Sequence, residues 1–231
     1  MEAIILAGGL GTRLAGRLSG VPKSMAPVAG RPFLEILLSQ LKRARVTHVL
    51  LSVGHLHEVI EDRFGATFEG MRLSYVVEEA PLGTGGAIRA ALSHATEEIA
   101  LVLNGDTFLD ADYGALMRFH AAEGADLTIA VSRQADIARY GGVVVEARRV
   151  VGFQEKGRSG PGWINAGAYV LPVDMQWPSR LHERFSIETD FLAQEIGRLT
   201  AAAYEAQGFF LDIGVPEDLD RAQQELARFA R

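Results

Sequence analysis

The 231-residue chain contains no cysteine. Disulfides and thiolate metal sites are therefore excluded, and a reducing compartment is compatible with the sequence. It also lacks a basic excess: 23 Lys and Arg stand against 29 Asp and Glu, for a formal charge of -6. Nucleic-acid binders usually carry a basic patch, so no nucleic-acid partner is expected. No apolar run is long enough to span a bilayer, and no basic stretch leads into an apolar one at the N-terminus. A cytoplasmic protein without a membrane partner is the expectation. Internal repeats are absent, and the stretch Gly157–Gly162 is the only patch of low complexity. A homo-oligomer is left open.

What is present is an ordinary globular balance, 48% hydrophobic and 23% charged. Strand-like runs at Ala3–Ala7, His48–Val53, Leu73–Val77, Ile99–Leu103 and Asp126–Ser132 alternate with helical spacing. The helices are expected at Pro32–Arg43, His55–Phe64, Thr84–Ala95 and about Tyr113–Ala122, the first with Phe33, Ile36, Leu37 and Leu41 on one face. Such alternation predicts a mostly parallel sheet covered by helices on both faces. After Ser132 the rhythm changes. A hairpin at Gly142–Glu146 and Val150–Gln154, strands at Trp163–Leu171 and Phe209–Ile213, and helices at Glu188–Leu199 and from Pro216 are expected. This reads as a single domain over 1–231, with a nucleotide-sized half to about residue 132 and a less regular half from about 133.

The opening AIILAGGLGTRLAGRLSGVPKSMAPVAGRP places glycines, Arg13 and Lys23 directly after an apolar strand. The dinucleotide fingerprint fails at Leu14, and the Walker pattern fails because Val21-Pro22 precedes Lys23. Gly8, Gly9 and Gly11 still let the backbone turn sharply and bring its N–H groups to an anion, with Arg13 and Lys23 at hand for phosphate oxygens. A plain glycine-rich turn beside two solvated cations accounts for these residues equally well.

Ligands of open α/β sheets sit at the carboxyl ends of the strands. Those ends carry Glu78-Glu79, Asn104-Gly105-Asp106 and Asp212-Ile213-Gly214. Each acid taken singly serves as well for a turn. Together, Asp106 and Asp212 suggest a shared Mg²⁺ site, since Mg²⁺ prefers one or two carboxylates with phosphate oxygens and water. A second glycine cluster, EEAPLGTGGAIRAAL, opens a helix, where Thr84 is either a cap or a ligand group. Asn165 and Gly167 interrupt an otherwise apolar strand; packing and turns are the competing explanation.

With these residues in view, nearly the whole chain resembles the sugar-1-phosphate nucleotidyltransferases. LAGGLGTRL followed by PKSMAPVAGRP matches the family signature, supported in order by LGTGGA, LNGD, FQEK, NAGAYV and LDIGVPEDL. The resemblance implies an α/β fold of the nucleotide-diphospho-sugar transferase type, with a Rossmann-like mixed, mostly parallel sheet flanked by helices. It implies that Leu6, Ala7, Gly8, Gly9, Gly11 and Thr12 wrap the nucleotide, with Arg13 on the polyphosphate and Lys23 beside the α-phosphate. Glu79, Gly83 and Thr84 would lie around base and ribose. Asp106 and Asp212 would hold Mg²⁺, with Arg13, Lys23 and Asp106 as the catalytic group. Gly141, Glu155, Lys156 and Asn165 would line the sugar-phosphate pocket.

The implied partners are a nucleoside triphosphate and a sugar 1-phosphate, joined with release of pyrophosphate. EEAPLGTGGA resembles the guanylyltransferases, which favours GTP. The short form and FSIETDFL most resemble the D-glycero-α-D-manno-heptose 1-phosphate guanylyltransferases of bacterial surface-glycan pathways. Mannose-1-phosphate guanylyltransferase and N-acetylmuramate-1-phosphate uridylyltransferase are the alternatives within the class. A Rossmann oxidoreductase is disfavoured by Leu14 and because the position expected for a ribose-binding acid falls at Gly30-Arg31, with no acid from there until Glu35. A silent nucleotide-sugar sensor is disfavoured because Arg13, Lys23, Asp106 and Asp212 are all present.

Overall fold

The computed structural model describes residues 1–9, 11–14, 16–18 and 20–229; the side chain of Thr12 also lies outside the described residues. One ten-stranded sheet runs through both halves of the chain. Strand Glu2–Leu6 lies between Ile99–Asn104 and His48–Val53, and Met71–Val77 follows, all parallel. Beyond Ile99–Asn104 the direction reverses. Strand Gly162–Pro172 runs antiparallel both to it and to Leu127–Gln134. Ala201–Ala206 pairs in parallel with Leu127–Gln134, and Arg149–Gln154 and Gly142–Glu146 complete that edge. The sheet is therefore mixed, as expected.

Alternate residues of the central strands divide between two core layers. Ala3, Ile5, Leu101 and Leu103 enter one; Ile4, Ala100 and Val102 enter the other. Successive strand side chains point to opposite faces, so two covered faces require the near-continuous apolar runs seen in the sequence. Helix Phe33–Arg43 covers the first layer. It has no side-chain cap at Pro32, a loss of about 1 kcal/mol. Phe33, Leu34, Ile36, Leu37, Leu38 and Leu41 are fully buried, each contributing roughly 1.5–3 kcal/mol. Packing outweighs the missing cap. Helix Gly83–Leu92 covers the second layer through Ile88, Ala91 and Leu92. No helix is long and apolar enough to cross a membrane among the described residues.

Two segments depart from expectation. Ala201–Ala206 is a strand, although alanine is a weak strand former. Ala201, Ala202 and Ala203 are buried, and long-range pairing overrides local preference. The helix expected at Glu188–Leu199 is instead a π-helical turn, Ile187–Leu192, followed by a short α-helical piece, Ala193–Glu195. Ser186 fixes its start: its hydroxyl accepts from Thr189 N, and Asp190 accepts from Ser186 N. That turn sends Ile187, Phe191 and Leu192 into the core.

Two local features aim side chains at the site. A separate ribbon pairs Thr107–Leu109 with Phe210–Asp212, with Asp212 opposite Thr107. This register sets Asp212 beside Asp106, and Ile213 N donates to the Asp106 carbonyl at 2.9 Å. Strand Gly162–Pro172 breaks register between Asn165 and Tyr169. Within that bulge Gly167 takes φ +70, and a β-carbon there would lie 2.9 Å from Asn104 Nδ2. Only glycine suits that position.

Gly105 makes a comparable close approach: its N–H donates to the Leu6 carbonyl at 3.0 Å. An added β-carbon would stand 2.5 Å from that oxygen. Gly105→Ala is expected to lower stability by about 1–3 kcal/mol in urea denaturation. Gly9→Ala, where an added β-carbon meets nothing within 4 Å, is expected to stay within about 0.5 kcal/mol of wild type. Equal losses at the two sites would contradict the close-approach argument.

Candidate active site

Strands Glu2–Leu6, Ile99–Asn104 and Met71–Val77 end on one side of the sheet, where open α/β sheets bind ligands. Two cavities meet there. The first, about 390 Å³, is lined by Leu6, Ala7, Gly8, Gly9, Gly11, Lys23, Gly83, Thr84 and Asp106 among the residues singled out from sequence. The second, about 710 Å³, brings together Arg13, Asp106, Gly141, Glu155, Lys156, Asn165 and Asp212. Asn104 and Asp106 form part of the wall of both.

The first cavity is built by glycine. Gly11 has φ +60, and a β-carbon there would come within 3.1 Å of Lys23 Cβ. The loop can thus lie flat against the turn Lys23–Met25. Lys23 Nζ reaches Asp106 Oδ2 at 2.5 Å, with the lysine side chain 15% exposed. Asp106 also accepts from the Thr107 hydroxyl at 3.2 Å. Asp212 accepts from Gly214 N at 2.6 Å. Burial pushes the Asp212 carboxyl above its ordinary range, and the charge of Asp106 pushes it further; Lys23, the Gly214 N–H and Arg139 oppose both. Two adjacent acids that resist sharing negative charge suit a cation. Among the described residues no group of three or more His, Asp or Glu could hold a metal alone. A hard divalent ion at Asp106 and Asp212 would take its other ligands from phosphate and water, which fits this donor set.

Unpartnered polar atoms mark the same walls. Ser24 Oγ and Asn104 Oδ1 are buried without a hydrogen-bond partner, and both residues line the first cavity. Buried polar atoms are normally satisfied, so a polar ligand is the economical occupant.

Two residues expected around the nucleotide, Arg13 and Glu79, sit elsewhere than the first cavity. Arg13 is exposed on the second cavity. Glu79 is exposed on a neighbouring groove with His55 and His57, whereas its neighbour Glu78 lines the first cavity. Glu78 accepts from the Ser52 hydroxyl at 2.9 Å and from Leu82 N at 3.0 Å. Alternation at the end of Met71–Val77 puts one of the two acids inward, and it is Glu78. The Thr12 side chain is outside the described residues.

Arg139, Tyr140, Ser186, Glu188 and Thr189, none of them a candidate from sequence, also line the second cavity. Arg139 pairs with the buried Asp218 and lies over the Tyr140 ring, 4.8 Å from its centroid. FSIETDFL was the available signal for the last three. Burial raises the Tyr169 hydroxyl well above its usual range, and the charge of Glu188 adds to this, so Tyr169 remains a donor.

Comparison with known proteins agrees with this architecture. The chain matches the Nucleotidyl transferase family over residues 2–228. It is 40% identical over 229 residues to the D-glycero-alpha-D-manno-heptose 1-phosphate guanylyltransferase of Aneurinibacillus thermoaerophilus, covering 99% of this chain and 100% of that protein. It is 42% identical over 219 residues to the protein of the same name from Campylobacter jejuni, covering 94% and 96%. HddC from Yersinia pseudotuberculosis, solved in complex with GMP-PN, superposes with a TM-score of 0.85 at 33% identity, covering 97% of this chain and 99% of that one. Glycine loop, paired strand-end acids and full-length similarity converge on one conclusion: the chain belongs to the nucleotidyl transferase family.

Proposed function

We propose that this protein transfers GMP from GTP to a sugar 1-phosphate, with D-glycero-α-D-manno-heptose 1-phosphate as the preferred acceptor. The products are a GDP-sugar and pyrophosphate. The observation that carries this reading is that Asp106, bonded to Lys23, belongs to the walls of both cavities. One cavity suits a nucleoside triphosphate and the other a sugar phosphate, so their reacting phosphates would meet at that shared wall. The nature of the full-length relatives supports the choice of substrates. GTP is a cytoplasmic substrate, and we place the enzyme in the cytoplasm on that ground.

The acceptor phosphate oxygen attacks the α-phosphorus, an O–P bond forms, and the bond to the β-phosphate bridging oxygen breaks. No general base is needed, because the attacking phosphate is already an anion. The obstacle is repulsion between two anions that must align. Gly8, Gly9 and Gly11 admit the triphosphate close to backbone, and Lys23 supplies positive charge at the α-phosphate. Lys23 leaves Asp106 to do so. Arg13 and Lys156, on the second cavity, hold the acceptor phosphate. Mg²⁺ at Asp106 and Asp212, when bound, neutralises phosphate charge. Glu78 accepts the N1–H and exocyclic amine of guanine on the lone pairs left by Ser52 and Leu82. Adenine, cytosine and uracil lack that donor pair.

Three outcomes test these roles. Asp106→Asn and Asp212→Asn are each expected to cost roughly 10²–10³ in kcat while melting near wild type, and chelator is expected to abolish turnover. Full activity in excess chelator would remove the metal. Lys23→Ala is expected to lower kcat by roughly 10²–10³ with a smaller change in KM; a normal kcat would reduce Lys23 to a structural partner of Asp106. In a pyrophosphate-release assay, GTP should outrun UTP, CTP and dTTP, and the manno-heptose 1-phosphate should outrun mannose 1-phosphate in kcat/KM. Glu78→Gln should cut the preference for GTP at least about tenfold, while Glu79→Gln should change it less than about twofold. Faster turnover with UTP would overturn the base assignment; equal use of mannose 1-phosphate would overturn the heptose.

A further inference from the structure

Glu188 belongs to the π-helical turn and lines the second cavity but not the first. Its two carboxylate oxygens face different parts of the site. Oε2 accepts from the Thr84 hydroxyl and from the Ser186 hydroxyl, each at 3.0 Å. Oε1 accepts from the Tyr169 hydroxyl at 3.0 Å. Tyr169 OH in turn accepts from Asn165 Nδ2 at 2.6 Å, and Asn165 Oδ1 accepts from Gly167 N at 3.0 Å. Thr84 is on the wall of the first cavity and Asn165 on the wall of the second, while Tyr169 is fully buried and lines neither.

We propose that Glu188 is a positioning residue for both substrates. It fixes Thr84 toward the nucleotide through one oxygen and, through Tyr169, fixes Asn165 toward the sugar phosphate through the other. The inference rests on the assignment of GTP to the first cavity and the sugar 1-phosphate to the second.

The directionality of the hydrogen bonds carries the argument. An ionised carboxylate only accepts. It therefore obliges the Tyr169 hydroxyl to donate toward it, which leaves the phenol oxygen free to accept from Asn165. The Asn165 amide is thereby held in one orientation, with its nitrogen toward Tyr169 and its oxygen toward Gly167 N. On the other arm, the Thr84 hydroxyl accepts from Ile187 N at 3.0 Å and must donate to Glu188. The backbone reinforces this arm, because Gly85 N donates to the Phe185 carbonyl at 3.0 Å and Phe185 N donates to Leu82 O at 3.0 Å. The segment that carries Glu188 is thus docked on the start of helix Gly83–Leu92.

A carboxamide at position 188 cannot serve both arms. If its oxygen faces Tyr169, its N–H₂ faces the Thr84 and Ser186 hydroxyls, and Thr84 loses its acceptor. If its nitrogen faces Tyr169, the buried phenol loses the acceptor for its proton: it either accepts from both amides with that proton unpaired, or turns the proton toward Asn165 and displaces the amide nitrogen that donates to it. Networks of this kind respond as units, so single changes propagate beyond the atoms they alter.

The test is steady-state kinetics of folded variants with GTP and the manno-heptose 1-phosphate, using melting curves to confirm folding. Glu188→Gln is expected to raise the KM for GTP about fivefold or more, although Glu188 does not line the GTP cavity, and to raise the sugar-phosphate KM by a similar factor. Tyr169→Phe is expected to raise the sugar-phosphate KM by about the same factor as Glu188→Gln while leaving the KM for GTP within about twofold. Adding Tyr169→Phe to Glu188→Gln is expected to raise the sugar-phosphate KM no further, because both changes cut one arm. Thr84→Val should raise the KM for GTP, and Thr84→Ser, which keeps the hydroxyl, should restore it. A purely structural role would move both substrates together in every variant or move neither. An active wild type whose Glu188→Gln variant keeps both KM values overturns this inference alone. So does additivity of the two changes. If Tyr169→Phe does not fold, Thr84→Val decides from the other arm: it is expected to raise the KM for GTP while leaving the sugar-phosphate KM within about twofold, and equal rises in both would overturn the inference. A wild type that turns over no sugar 1-phosphate overturns the proposed function and this inference with it.

Discussion

Charge repulsion at one point governs the site. Asp106 and Asp212 are brought side by side by the pairing of Thr107–Leu109 with Phe210–Asp212, and burial makes their shared negative charge costly. In the described structure Lys23 meets this cost with a 2.5 Å contact to Asp106. A fully exposed pair of this kind would be worth little, about 0–1 kcal/mol. Here the lysine is mostly buried, and its main effect is positional. The Lys23–Met25 turn is pinned against Gly11, the glycine loop is held over the first cavity, and the ammonium meets Asp106, which belongs to the walls of both cavities. The same arrangement holds one cationic side chain against one of two adjacent carboxylates, at a wall shared by both cavities.

The sheet topology explains why two ligand spaces abut. Parallel strands on one side of Ile99–Asn104 give a row of carboxyl ends over which a nucleotide loop can lie. The antiparallel strand Gly162–Pro172 on its other side brings a bulge, with Asn165 and Gly167, up against Asn104. Asn104 thereby faces both spaces, and its buried Oδ1 has no hydrogen-bond partner. A purely parallel continuation would have needed another crossover helix at this edge, and the second cavity would have been covered.

Much of this was legible from residues alone, for physical reasons. Strands buried on both faces show as apolar runs, and glycine clusters after such runs mark backbone turns at the ligand end of the sheet. Hence the central strands, the helix over Phe33, Ile36, Leu37 and Leu41, most residues of the first cavity wall and a minority of the second could be anticipated. What escaped depends on register or on partners far away in sequence. Glu78 and Glu79 differ only in which face they take as the strand ends. Ala201–Ala206 is a strand because Leu127–Gln134 pairs with it, a fact no local propensity carries. Glu188 read as one residue of a helix; its partners Thr84 and Tyr169 are 104 and 19 positions away. Arg13 is near the glycine loop in sequence but exposed on the other cavity.

The central claim is that Asp106 and Lys23 stand where the two substrates meet. It is tested most directly by a crystal structure with a GTP analogue non-hydrolysable at the α,β-bridge, Mn²⁺ and the sugar 1-phosphate. The account predicts the triphosphate in the glycine-lined cavity, its α-phosphate within hydrogen-bond reach of Lys23 Nζ. It predicts an anomalous Mn²⁺ signal between Asp106 and Asp212, and the sugar phosphate beside Asn165. A nucleotide seated in the second cavity, or Mn²⁺ bound away from the two aspartates, would contradict it.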